Sequence, residues 1–359
     1  MPVTQYSRKE STIRCLRFRK IVRPLRTTWR TALGQKSSAT SMIVTVGLEG
    51  GAGGVGEVPT SFAVPHETPP AIRQVLAQAR RMLVSTDIRD YVAILRRLRE
   101  LHPTFHMTLA GLEVALFRAD LARRGEGEWA FWGAKRRRLE TDITIPFLTD
   151  RGELLAWLDH TSRIGFVAYK VKVAGQCDRD LAMVRTIHEH LRRRCPRFAI
   201  RLDGNQGYTE RSCLKLLSRL ERAGIAIELL EQPLPKDDRA GLKRVTASSP
   251  VPVILDETVF SADQCRRVAD ERLGHGVNIK IAKSGIAESA AILNVARSAG
   301  LTLMIGCMTE TMIGLSAGIR LAAGTAAFDY VDLDSAHLLF GPRRQQGINV
   351  AGREYLLKD

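Results

Sequence analysis

The chain predicts an α/β fold, a barrel of eight parallel strands preceded by a smaller α+β domain, on three observations. From about residue 139 onward, near-continuous apolar, β-branched runs alternate with amphipathic helical patterns, as strands buried on both faces of a parallel sheet require. Eight such runs follow one another before residue 340, too regular a series for an open doubly wound sheet. No GxGxxG follows a first strand, which weakens a dinucleotide-binding reading.

Residues 1–138 read as the α+β domain, residues 139–340 as the barrel, and residues 341–359 as a C-terminal segment packing back on the first domain. In the first domain, residues 13–22 and 41–49 alternate as antiparallel strands joined by a polar loop at residues 34–38. Residues 50–56 are glycine-rich but lack the lysine of a phosphate-binding loop, and they read as a turn and mobile loop. Helical patterns follow at residues 70–83, 88–101 and 108–124. The barrel runs are residues 142–147, 166–173, 198–203, 225–230, 251–255, 277–281, 301–305 and 330–333. Between them lie helical patterns such as residues 179–191, with Leu181, Val184, Ile187 and Leu191 on one face, and residues 286–299.

The 359 residues are 45% hydrophobic and 26% charged, ordinary for a globular chain that buries a large core. No stretch approaches the roughly 18 consecutive apolar residues of a membrane span. The basic N-terminus lacks the apolar stretch of a secretory signal. Six cysteines stand at 15, 177, 195, 213, 265 and 307 without CxxC pairs, a pattern that points to a reduced, cytoplasmic compartment. The net charge of +16 would suit nucleic acid, but the arginine clusters (Arg14 to Arg30, Arg136 to Arg138, Arg192 to Arg194) are dispersed and lack interleaved aromatics for stacking on bases. Solvated helix faces and strand edges are the plainer reading.

Chemistry concentrates at the ends of the barrel runs. Asp203, Glu231 and Asp256 each close an apolar run, 28 and 25 residues apart, and Lys280 follows 24 residues later. Each interval is about one strand plus one helix, so these residues and Lys170-Val-Lys172 project toward the C-terminal end of the barrel, where barrel active sites form. One such acid alone reads as a helix cap. Three in register make an all-oxygen site that suits magnesium, with water and substrate oxygens completing its octahedron. Lysines on both sides can remove and replace a proton once burial, a neighbouring cation and a metal lower their pKa. Lys170 and Lys172 share one face of their strand and disfavour each other's charge, whereas only one of Lys280 and Lys283 should face the ligands. Among the histidines, His188 and His190 cannot share a helix face, His337 is a weak candidate behind the site, and Cys307 reads as packing.

The motifs Lys170-Val-Lys172, Asp203-Gly-Asn205, Leu230-Glu231-Gln-Pro233, Asp256-Glu257-Thr258 and Asn278-Ile-Lys280-Ile-Ala-Lys283 resemble the enolase superfamily, specifically its muconate-lactonizing subgroup. Gly56-Glu57 and Met308-Thr-Glu310 extend the resemblance over nearly the whole chain. It implies a (β/α)7β TIM-like barrel with an N-terminal capping domain, and a lysine base acting with metal stabilisation of an enediolate. It further implies Lys172 and Lys280 as the acid/base pair, with Lys170, Asn205 and Lys283 in support, and Asp203, Glu231 and Asp256 as ligands of one Mg2+ per subunit.

Within the subgroup, Asp332-Leu-Asp334 places two acids on one side of a strand, where they can hold a cation. A matching Asp-x-Asp in dipeptide epimerases binds the free α-ammonium of the substrate, so the resemblance implies 1,1-proton transfer at the C-terminal residue of an L,L-dipeptide. An N-succinylamino acid racemase or o-succinylbenzoate synthase is the enzymatic alternative, and a non-catalytic basic binding protein the alternative of another class. The expected partners are a small dipeptide and further copies of the chain, with neither nucleic acid nor membrane. Alanine–glutamate epimerases of this family carry an arginine in the first cap loop where this chain has Gly34, after Trp29-Arg30-Thr31-Ala32-Leu33. A neutral or apolar C-terminal residue is therefore expected. Phe62 and Val64 in a second cap loop, with Thr144 and Met308, are the expected walls of the substrate pocket.

Overall fold

The computed structural model describes residues 10–31, 34–148 and 150–358. Ala32 and Leu33 of the first cap loop thus lie outside the described residues. The cap begins with an antiparallel sheet ordered β1 (Ile13–Thr31), β2 (Gly34–Leu48) and β3 (Gly53–Pro59). Three helices follow, α1 (Pro69–Leu83), α2 (Tyr91–Leu101) and α3 (His106–Arg123).

Two expectations for the cap need correction. β1 runs on to Thr31, and the presumed loop at residues 34–38 is strand, because Trp29 pairs with Lys36 and Thr31 with Gly34 after an irregularity at Pro24. The glycine-rich stretch is not a mobile loop beyond its turn: residues 53–59 form the third strand. Its glycines let α3 lie directly on the sheet. A Cβ on Gly56 would come 2.0 Å from the Gly111 carbonyl, and one on Gly54 would come 2.1 Å from that of Ala115. Alternation in β3 therefore carries no side-chain pattern that periodicity could read.

A short helix α4 (Glu128–Phe131) and strand β4 (Arg138–Glu140) lead into the barrel. There the order is β5 (Ile143–Ile145), α5 (Arg151–Ile164), β6 (Ala168–Lys172), α6 (Cys177–Arg192), β7 (Ala199–Asp203) and α7 (Glu210–Arg222). It continues through β8 (Leu229–Glu231), α8 (Arg239–Ser248), β9 (Val253–Leu255), α9 (Ala262–Glu271), β10 (Gly276–Ile279) and α10 (Ile281–Ser298). The last units are β11 (Thr302–Gly306), α11 (Met312–Thr325) and β12 (Tyr330–Asp332). Eight parallel strands in sequential order, with seven intervening helices among the described residues, make the (β/α)7β arrangement. The amide of Asp142 donates to Val331 O at 3.2 Å, drawing the first strand toward the last.

Local signals start the helices. Thr209 with Ser212, and Ser261 with Gln264, form capping boxes at α7 and α9. Asp150 caps α5, and Gly165 ends it in the left-handed conformation. The chain then closes with α12 (Ser335–Leu338), β13 (Arg344–Gln345), β14 (Ile348–Ala351) and β15 (Glu354–Leu357); β15 pairs with β4, the strand between cap and barrel.

Buried carboxylates fasten the cap to the barrel. Glu57 of β3 accepts from the amides of Thr311 (3.0 Å) and Gly314 (3.1 Å), giving α11 an N-terminal acid supplied by the other domain. Glu113 of α3 accepts from Ala287 N at 3.0 Å in the same way. Its Oε2 fills the place of a Cβ on Gly285, whose φ of +77° breaks α10 just before residue 286. The anticipated helix start at that residue is the start of the regular part.

Candidate active site

Parallel register sets the site. Lys172 lies opposite Asp203, and Asp203 opposite Glu231, so the last residues of β6, β7 and β8 stand side by side. Asp256 and Lys280 each follow the last residue of their strand, and Asp332 ends β12. All six are at most 5% exposed. Lys172, Asp256, Lys280 and Asp332 floor a pocket whose roof comes from Trp29, Lys36 and Phe62 of the cap, and Asp203 and Glu231 sit beneath it against Lys172 and Lys170.

Each carboxylate expected to hold metal is held by ammonium groups. Lys172 Nζ lies 2.5 Å from Asp203 Oδ2, and Lys170 Nζ lies 3.3 Å from Glu231 and 3.7 Å from Asp203. Lys170 also bonds Asp332. Lys280 reaches Asp256 Oδ2 at 2.7 Å, and Lys283 reaches Oδ1 at 2.5 Å. This last pair corrects the expectation that only one of Lys280 and Lys283 faces the ligands. The strand has already ended at Ile279, so residue 283 follows a helical turn rather than the alternation. Asn278 Nδ2 donates to Glu231 Oε1 at 2.8 Å, and Asn205 Nδ2 donates to Glu257 Oε1 at 3.2 Å.

Electrostatics follow from this crowding. Burial alone would lower Lys170 and Lys280. The carboxylates outweigh it, chiefly Asp332 for the first and Asp256 for the second, and both lysines lie above the ordinary lysine value. The mutual repulsion anticipated for Lys170 and Lys172 is thus overridden at Lys170. Burial and then Asp203 raise Glu231, and burial with Asp256 pushes Glu257 up to about 8. Glu231 Oε2, Asn205 Oδ1 and Glu257 Oε2 accept no hydrogen bond. Buried hard oxygens with unused lone pairs and an unfavourable excess of negative charge fit a divalent cation of the magnesium kind.

Across the barrel, Asp142, Asp332 and Asp334 bring oxygens within 4.8 Å of one another. Arg201 holds Asp142 at 2.7 Å, and the amide of Thr144 donates to Asp334 at 2.7 Å. Burial and then Asp332 raise Asp334 to about 6. Asp332 Oδ1 and Asp142 Oδ1 accept no hydrogen bond.

Of the other expected residues, Phe62, Thr144 and Met308 line the cavity. Val64 does not: it lines a neighbouring cleft with His66, His106 and Lys236. Cys307, read as packing, stands in the cavity wall, its Sγ 3.8 Å from Asp334. His337 is buried edge-on against Phe166 and makes no hydrogen bond from its ring, so it is core rather than site.

Sequence reasoning missed Trp29, whose ring lies 5.7 Å from Lys172 Nζ, and Phe260, 5.0 Å from Lys283 Nζ. It also missed the reach of Lys36. That ammonium bonds Thr309 Oγ1, lies 5.7 Å from the Phe62 ring, and is lowered by burial to about 8. Two-residue alternation from Gly34 would have put residue 36 on the same face, had the segment been read as strand. Gly34 itself lies beneath Phe62, where a Cβ would come 3.2 Å from the ring.

Residues 154–352 match the family model described as Enolase C-terminal domain-like. The chain is 32% identical over 326 residues to the aromatic dipeptide epimerase of Herpetosiphon aurantiacus, covering 90% of each protein. It is 34% identical over 328 residues to the hydrophobic dipeptide epimerase of Citrifermentans bemidjiense, covering 89% of this chain and 87% of that one. The structure superposes with a TM-score of 0.87 on a dipeptide epimerase from Enterococcus faecalis complexed with Mg and the dipeptide L-Leu-L-Tyr, at 26% identity, covering 97% of this chain and 98% of that one. The chain belongs to the enolase C-terminal domain-like family, within the mandelate racemase and muconate-lactonizing superfamily, and is an isomerase of the epimerase and racemase kind.

Proposed function

We propose that the chain is a magnesium-dependent dipeptide epimerase that inverts the Cα of the C-terminal residue of an L,L-dipeptide. One observation carries this: Lys172 on β6 and Lys280 after β10 face one cavity from opposite walls, with Asp203, Glu231 and Asp256 between them. Asp203, Glu231 and Asp256 would hold the metal. When bound, a divalent ion there would neutralise the substrate carboxylate and offset the charge of Asp256 and Glu231 that raises Lys280.

The residues of the chain do the rest. Asp332, through an Oδ1 that accepts no hydrogen bond, and Asp334 beside it take the substrate's α-ammonium, with Asp142 in the same acidic cluster. One of Lys172 and Lys280 removes the Cα proton, leaving an enediolate, and the other delivers a proton to the opposite face. The reverse direction exchanges their roles. Lys283 keeps Asp256 in place through Oδ1 while Lys280 faces the cavity. Trp29 excludes water above Lys172. The space over Gly34 is filled by Phe62, which supports a preference other than alanine–glutamate at the C-terminal residue.

The test is a screen of L,L-dipeptides in D2O with and without EDTA, read by mass gain and chiral analysis. Deuterium should enter one Cα, in a metal-dependent manner, and an N-acetylated dipeptide should not exchange. Lys172→Ala and Lys280→Ala should each abolish epimerisation. Full epimerase activity in both variants, or no exchange with any dipeptide, would remove the assignment.

A further inference from the structure

One part of a dipeptide has no partner in this scheme, the side chain of its N-terminal residue. We propose that Lys36 selects dipeptides whose N-terminal residue carries a carboxylate, which its ammonium grips beside Thr309. The proposal rests on the epimerase reading and adds a substrate class to it.

The order of strands around the barrel places the two ends of the substrate. The metal ligands lie on β7, on β8 and just after β9, whereas Asp332 ends β12. The neighbour of β12 is β11, paired through Gly306 and Asp332. Thr309 follows β11 by three residues, and Lys36 reaches it from the cap. A side chain leaving the Cα that bears the anchored ammonium therefore starts about one strand spacing, ~4.8 Å, from the strand that leads to Thr309.

Lys36 is also an incomplete interaction. Among the described residues its ammonium makes no ion pair; its partners are the Thr309 hydroxyl and the face of Phe62. An ammonium has three donors, and a charge withdrawn from water without a counter-ion is unfavourable. Every other lysine in this cavity has a carboxylate. A ligand carboxylate would complete Lys36 as the acids complete the others. The two ends of the N-terminal residue would then meet opposite charges, its ammonium at Asp332 and Asp334 and its side chain at Lys36.

The experiment compares kcat/KM, by Cα deuterium exchange with magnesium present, for L-Glu-L-Val, L-Gln-L-Val and L-Ala-L-Glu. Native enzyme, Lys36→Met, Lys36→Gln and Lys36→Arg are each measured. The native enzyme should prefer L-Glu-L-Val to L-Gln-L-Val by roughly 10- to 100-fold, the size of one hydrogen bond between charged groups, expressed mainly in KM. That ratio should fall to about one in Lys36→Met and Lys36→Gln and persist in Lys36→Arg. A native ratio near one, or an equal ratio in the variants, overturns the assignment. So does a loss confined to L-Ala-L-Glu, which would place Lys36 against the epimerised residue instead. Exchange with these dipeptides but no glutamate preference leaves the epimerase reading standing; no exchange with any dipeptide removes both.

Discussion

Removing the ammonium of Lys283 tests whether the site's charges are also structural. Its side chain is 1% exposed, and its Nζ donates to Asp256 Oδ1 at 2.5 Å, Asp256 O at 2.6 Å and Val259 O at 3.0 Å. A Lys283→Met substitution keeps most of the side-chain volume and removes this donor from each acceptor, although Asp256 O keeps the amide of Val259 at 3.1 Å. Three carbonyls, of Asp256, Val259 and Asn278, lose this donor, at about 1–3 kcal/mol for any left unsatisfied. Breaking a buried ion pair by removing one partner costs about 3–5 kcal/mol, but Asp256 keeps Lys280, 2.7 Å away, which softens that loss. The effects overlap, and a net destabilisation of about 3–5 kcal/mol is expected. Urea unfolding followed by circular dichroism measures it. A change below about 1 kcal/mol, the range of exposed pairs, would refute the argument that Lys283 is fixed by burial and would move it to the solvent-screened class.

The remaining predictions concern the fold and its response to pH. Gly56→Ala would bring a Cβ 2.0 Å from the Gly111 carbonyl, so it should destabilise the protein by at least about 1–3 kcal/mol; an unchanged urea midpoint would show that α3 does not lie that close to β3. His337 is neutral because burial, then Arg343 and Arg26, press it down to about 3. Between its unfolded value of roughly 6.5 and that folded value, the unfolded chain binds a proton that the native one does not. Stability from this group is therefore fully present above about pH 6.5 and is lost as pH falls through the window, by up to ~1.4 kcal/mol per unit. In His337→Phe the slope of unfolding free energy between about pH 5 and 6 should be shallower by roughly 1 kcal/mol per unit, and equal slopes would contradict a buried neutral imidazole.

Much of this molecule is legible before any coordinates are seen. Parallel strands buried on both faces must be apolar throughout, so the barrel announces itself as a series of β-branched runs, and the ionisable residues that end them stand out. Asp203, Glu231, Asp256, Lys172 and Lys280 could be placed at one end of a barrel by spacing alone. The cap was less readable, because its third strand uses glycines to admit a helix backbone, and a residue without a side chain leaves no alternation to detect. Tertiary structure alone decided three further matters. It brought Lys283 onto Asp256 by ending β10 one residue before Lys280, it carried Lys36 and Trp29 from the cap into the barrel's cavity, and it set Val64 outside that cavity. Strand position is a property of neighbours along the chain, whereas the meeting of two domains depends on surfaces far apart in sequence, and no local pattern records it.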